Sequence, residues 1–217
     1  MSDSPAVRAL CIGENEYDFH RFETAGPLFE RFLENSGRVD LTLSTDRSDL
    51  TTDTLQEYDV LIDYLTDPPM DDQQEAVLEF VRAGNGYVPV HCAADVSSFV
   101  PEPQLAVEEL IGGAFLDHPE QCDLDVEIVD QTHQITRGIE DFTVWDEPYE
   151  IRWTEDDVHV LARMNHEELG DLPVAWTKSY GRGRVFYCSL GHDEPALSDA
   201  TVQLLITRGT LWAADQA

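Results

Sequence analysis

Lysine is almost missing from this chain: Lys178 stands alone among 217 residues, beside 12 arginines. Basic runs are missing with it, and 13 Lys+Arg against 44 Asp+Glu give a formal charge of −31. Such a surface repels nucleic-acid phosphates, so no nucleic-acid partner is expected. Anionic membrane surfaces are disfavoured on the same ground. Long apolar runs are lacking too, and none approaches the ~20 residues that span a bilayer. Residues 1–5 carry no basic segment leading into an apolar stretch, so no signal peptide is read. Cysteine is scarce: Cys11, Cys92, Cys122 and Cys188 form no CxxC pair, which favours reduced thiols and a cytoplasmic location. The acidic residues are spread along the chain rather than gathered in a tail. With lysine so rare, that pattern points to a salt-adapted, halophilic surface, where screening relieves self-repulsion. Most carboxylates here are therefore solvation and say little about chemistry.

Hydrophobic residues make up 42% of the chain, with four Trp, seven Tyr and nine Phe, which is enough apolar surface for a packed core. Val7–Gly13 reads as a buried strand. Thr24 is placed to cap a helix whose apolar positions are Leu28, Phe29, Phe32 and Leu33. Residues 39–43 and 60–65 read as further strands. Asp71 or Asp72 opens an amphipathic helix that Gly84-Asn85-Gly86 stops, and residues 87–90 form a fourth strand running straight into His91. Strands alternating with helices predict a doubly wound α/β fold with a mainly parallel, flavodoxin-like sheet. The second half changes character. Strands at 124–129, 150–153, 158–164, 174–180 and 184–190 have short connections, with Gly181-Arg182-Gly183 as a hairpin turn, and a helix over 200–213 closes the chain. This is an antiparallel extension, and without a linker the chain reads as one domain over residues 1–217. An exposed edge strand in that half makes a homodimer one expected way of covering it.

Ligands of doubly wound sheets bind at the carboxyl ends of the strands. Four segments reach that edge: the loop with Tyr17 and His20, the turn with Thr66 and Asp67, residues 91–95, and residues 191–194. The strand running into His91-Cys92-Ala93-Ala94-Asp95 resembles a nucleophile elbow, with an imidazole at its apex. His118, and Asp146-Glu147 beside Trp145 and Tyr149, are further candidates. No HxH or HExxH spacing occurs, so a metal site has to assemble from distant segments.

These motifs add up to a resemblance. Residues 84–95 (GNGYVPVHCAAD), 111–119 (IGGAFLDHP), 145–149 (WDEPY), 159–162 (HVLA), 173–176 (PVAW) and 180–193 (YGRGRVFYCSLGHD) resemble the ThuA-like (trehalose utilization) family, from about Tyr58 to Trp212. The resemblance implies a class I glutamine-amidotransferase-like fold and a role in using trehalose or related disaccharides. His91 takes the place of the amidotransferase cysteine, which argues against glutaminase chemistry. Asp171-Leu172-Pro173 stands where the family often has His-Pro, so an imidazole is absent there.

The expected activity is an enzyme acting on a sugar or keto-sugar. His91 and His192 are the expected catalytic imidazoles, with Glu147 and Asp193 as acid/base partners or orienters. His91, His118 and His192 are the candidate ligands of a divalent metal such as zinc. Tyr17, His20, Asp95, Trp145 and Tyr149 are the candidate substrate-binding residues, the aromatics offering an apolar face to a sugar ring. Two alternatives stand beside this: a non-catalytic sugar-binding or assembly module, and a hydrolase built on Cys92 with His192 as base.

Overall fold

The computed structural model describes residues 6–154 and 156–215. Residues 1–5, on which the expectation of no signal peptide rests, lie outside them. The chain runs β1 (Val7–Gly13), α1 (Phe22–Glu34), β2 (Val39–Ser44), a short α2 (Thr52–Leu55), β3 (Val60–Tyr64), α3 (Asp71–Arg82) and β4 (Gly86–Pro89). A 3-10 turn over His91–Ala94 follows, then α4 (Leu105–Ile111), β5 (Gly113–Asp117), β6 (Cys122–Ile128), β7 (Phe142–Asp146), β8 (Glu150–Trp153) and β9 (His159–His166). The chain closes with β10 (Gly170–Tyr180), β11 (Gly183–Cys188), α5 (Glu194–Ser198) and α6 (Ala200–Ala213).

Nine strands form one sheet in the order β2-β1-β3-β4-β11-β10-β9-β6-β7, and β5 pairs with β8 in a small second sheet. From β2 to β11 neighbours are parallel, and from β11 to β7 they are antiparallel. The fold is therefore the expected α/β architecture with an antiparallel extension, joined at β11.

Alternation along the inner strands builds a core on each face. Ala9, Cys11, Ile62, Val88 and Phe186 face α1 and α6, whereas Leu10, Ile12, Leu61, Tyr87 and Val185 face α3 and α4. Near-continuous apolar runs, broken in β3 by the buried Asp63, are what a strand covered on both faces requires. Helix α1 begins two residues before the expected cap: its N-cap is Arg21, with no side-chain cap bond, and Thr24 lies inside the helix. Phe22 is the reason, since its buried ring packs over Gly13, where a Cβ would lie 2.2 Å from it. Among the described residues no helix is long and apolar enough to cross a membrane.

The topology fixes one further point. β1, β3, β4 and β11 are parallel, and four antiparallel steps from β11 bring β7 into the same direction. The segments that follow these five strands all emerge at one edge of the sheet.

Candidate metal centre at the carboxyl edge

Three imidazoles and one carboxylate meet at that edge. His20, His91, Glu147 and His192 each offer a ligand atom, and the four atoms lie within 4.8 Å of one another. His20 follows β1, His91 follows β4, Glu147 follows β7 and His192 follows β11.

His91 is fully buried and its backbone has φ 46°, a left-handed conformation that costs a non-glycine residue energy. The sharp turn is what lifts the ring above the sheet, as the elbow pattern predicts. Its Nδ1 lies 2.6 Å from the Ser189 carbonyl oxygen, so it carries the proton and donates. In the neutral ring the Nε2 lone pair then points into the cluster. The Tyr149 ring lies against His91 at 4.1 Å between centroids and backs it from one side. His20 also has positive φ, at 52°; its Nδ1 lies 3.3 Å from Thr66 Oγ1 and its Nε2 faces His192.

His192 Nδ1 is the meeting point. It lies 3.0 Å from His20 Nε2, 3.2 Å from His91 Nε2 and 3.1 Å from Glu147 Oε2, and His91 Nε2 is 3.4 Å from the same carboxylate oxygen. A single ring nitrogen cannot satisfy three such neighbours through one proton. The spacing has another reading: donors at ~2.0–2.1 Å from a tetrahedral zinc ion stand roughly 3.3 Å apart. Imidazole with one carboxylate is a donor set for a divalent transition metal rather than for magnesium or calcium. The residues present thus fit such an ion.

The electrostatics agree. Burial, then the neighbouring imidazoles His91 and His192, push His20 down to about 2, so its ring is neutral. Burial opposes charge on His192, yet the Glu147 hydrogen bond and carboxylates outweigh it and raise its pKa. Burial likewise opposes charge on Glu147, and its bonds to His192 and His91 prevail, holding it well below the usual carboxylate range. One buried negative charge is shared among three rings.

Neighbouring side chains hold these four. Asp146 is fully buried: its Oδ2 accepts from the Gly191 N–H at 2.7 Å, and its Oδ1 accepts from His192 N–H at 3.1 Å and Glu147 N–H at 2.8 Å. It thereby ties the end of β7 to the segment after β11. The Tyr64 hydroxyl donates to the Gly191 carbonyl at 2.8 Å. Glu14 Oε1 accepts from the Thr66 and Asp67 N–H groups at 2.8 and 2.9 Å, fixing the loop under His20.

The other expected site residues take several positions. His118 stands outside the group of four: its Nδ1 is 3.1 Å from Glu147 Oε1 and 3.0 Å from the Pro119 carbonyl. Asp193 caps α5, accepting from Ala196 N–H, and its other oxygen accepts from Gln121. Asp95 accepts from the Ser97 and Ser98 N–H groups in its own loop. Trp145 lies on β7 between buried Val144 and Asp146 and is 48% exposed, so its side chain leaves by the opposite face. Tyr17 donates to Asp67 Oδ1 at 2.7 Å. Cys92 is sealed in the core, where burial pushes its thiol well up, against the activated thiolate a hydrolase needs. Sequence reasoning does not reach Asp146 as a clamp, or Phe19 and Phe99, which stand beside Tyr17.

The ThuA (trehalose utilisation) family model matches residues 8–213. This chain belongs to the ThuA family. Among solved structures, a ThuA-like protein from Parabacteroides merdae is 21% identical, with TM-score 0.79 over 96% of this chain and 90% of that one. A ThuA-like protein from Bacteroides uniformis is 25% identical, with TM-score 0.77 over 98% and 93%. A cytoplasmic protein from Salmonella typhimurium is 15% identical, with TM-score 0.68 over 94% and 98%. A comparison with curated proteins gives no match. The ThuA fold is thus shared across almost the full length of these chains.

Proposed function

We propose that this ThuA family member is a cytoplasmic enzyme acting on trehalose, a related disaccharide or a keto-sugar, through a divalent metal held by His20, His91, Glu147 and His192. The observation that carries the reading is the convergence of four donor atoms within 4.8 Å, with the His91 lone pair aimed among them. When bound, such an ion supplies Lewis acidity, polarising a sugar carbonyl or lowering the pKa of a hydroxyl or water. Ser189 fixes the tautomer of His91 through its carbonyl. His118 places its Nδ1 3.1 Å from Glu147 Oε1, on the side of the carboxylate away from the Oε2 that faces the rings. Tyr149 covers His91 and keeps water from that side.

The charge of −31 supports the substrate class. A neutral sugar approaches this surface without electrostatic penalty, whereas sugar phosphates are repelled. The cysteines, all free, suit a reducing compartment.

The test is metal content by plasma emission spectrometry together with NMR of trehalose and its keto derivatives. One divalent ion per chain is expected in the wild type. His91→Ala should weaken binding by more than ~100-fold, since losing even an orienting partner costs about 10–100-fold. Chelation should stop sugar turnover. A metal-free wild type after incubation with zinc, manganese or iron salts overturns the centre. Sugar that binds and returns unchanged overturns the enzyme in favour of a binding module.

A further inference from the structure

We propose that Tyr17, Phe19 and Phe99 form a stacking platform for the outer ring of a two-ring sugar whose inner ring sits beside His20 and His192. The inference rests on the function proposed above and deepens it by assigning the residues that hold the second ring.

A cavity of about 250 Å³ adjoins the histidines, walled by His20, His192, Tyr64 and Phe19. Pockets that enclose drug-sized ligands run to roughly 300–1,000 Å³. This one is on the scale of a single ring, so the remainder of a disaccharide must lie outside it. Phe19 is where the cavity meets the surface. Its ring stacks on Tyr17 at 5.2 Å with planes 14° apart, and Phe99 leans on Tyr17 at 4.7 Å. Phe19 also sets its edge to His20 at 5.0 Å, which fixes the platform relative to the metal-ligand cluster.

Phe19 is 41% exposed and Phe99 45% exposed, on a chain with 44 carboxylates. Exposed large aromatics gathered in one place mark binding surfaces. The neighbouring polar groups identify the occupant. Asp67 takes one hydrogen bond from the Tyr17 hydroxyl, and its carboxylate retains further lone pairs for hydroxyl donors. An aromatic face beside a hydroxyl-accepting carboxylate matches a sugar ring, with C–H bonds on its faces and O–H groups around its rim. The rings already pack on one another, so stacking costs little ordering.

The experiment is calorimetric titration of the metal-loaded full chain with trehalose and with glucose. Metal content is measured on the same samples. Trehalose is expected to bind tighter than glucose in the wild type. Phe99, which does not wall the cavity, gives the cleaner variant: Phe99→Ala should lower trehalose affinity about 3–10-fold. Glucose affinity and metal content should stay unchanged, and Phe99→Tyr should restore trehalose binding. Phe19→Ala combined with Phe99→Ala should lower it further. Wild-type trehalose affinity in that double variant overturns the platform and leaves the metal centre standing. Equal loss of both sugars in Phe99→Ala overturns it as a structural effect. A shift in oligomeric state by light scattering, with sugar affinity intact, overturns it in favour of a contact between chains. Failure of the wild type to bind either sugar overturns the function reading and this one together.

Discussion

Asp63 is a carboxylate sealed inside the sheet. It is 1% exposed, accepts from the Tyr87 hydroxyl at 2.6 Å and from the Leu65 N–H at 2.9 Å, and burial raises its pKa from 3.8 to about 6. A raised folded-state pKa on an acid means that the native state holds the proton more tightly than the unfolded chain. Stability from this group is therefore present below pH 3.8 and lost as pH rises to about 6. Two units correspond to roughly 3 kcal/mol. Urea denaturation at several pH values should show the wild type losing about that much relative to Asp63→Asn across the window. A constant difference between the two proteins would contradict the assignment. Legibility at this scale was uneven. The meeting of His91 and His192 could be read because both follow strands in a sheet whose ligand edge is known in advance. His20, expected to bind substrate, stands inside the cluster because its left-handed backbone turns the ring inward, and His118, expected as a metal ligand, stands one carboxylate further out. Asp146 stands beside Glu147 among the sequence candidates, but its role as a clamp was not legible, because in a chain with 44 acidic residues nothing in the sequence separates a buried carboxylate clamp from solvated ones.

The turn between β10 and β11 shows what an element demands of its sequence. Gly183 sits so close to α3 that a Cβ would lie 2.2 Å from the Val81 carbonyl oxygen and 2.4 Å from that of Asn85. Backbone atoms cannot step aside as a side-chain tip can. Gly183→Ala should therefore destabilise the protein by about 1–3 kcal/mol, read as a lower denaturation midpoint with unchanged slope. No loss would mean that the hairpin and α3 separate freely. The long elements were plain in the sequence: β1 and α6 fall on the expected residues, since both are apolar runs with clear ends. Of the short ones, β8 falls on its expected residues, 150–153, but four others were not read. β7 has five residues, one of them a buried aspartate that breaks the apolar alternation. α4 has seven, with no side-chain cap at Gln104. β5 starts on Gly113, and α5 is five residues with proline in its first turn. Each is held by tertiary packing more than by its own pattern.

Across the whole molecule, repulsion among 44 acidic groups competes with ion pairs such as Arg8–Asp59 and Arg152–Glu108, at 2.9 and 2.8 Å. Both arginines are exposed, and surface pairs of that kind contribute about 0–1 kcal/mol each. We therefore propose that repulsion wins at low ionic strength and that the surface is salt-adapted. Taking the Debye length from ~10 Å at 0.1 M to ~3 Å at 1 M salt should raise the melting temperature by roughly 5–10 °C in scanning calorimetry. A flat or falling trend would show that the pairs dominate. The position of β11 has a consequence for how the protein comes into being. This strand comes after all ten others in the sequence, yet it lies between β4 and β10, in the middle of the sheet. A chain emerging from the ribosome thus holds two sheet fragments with a gap between them until β11 is released. The same late insertion delivers His192, so sheet closure and assembly of the four-residue centre are a single event, and a chain cut before β11 gains neither.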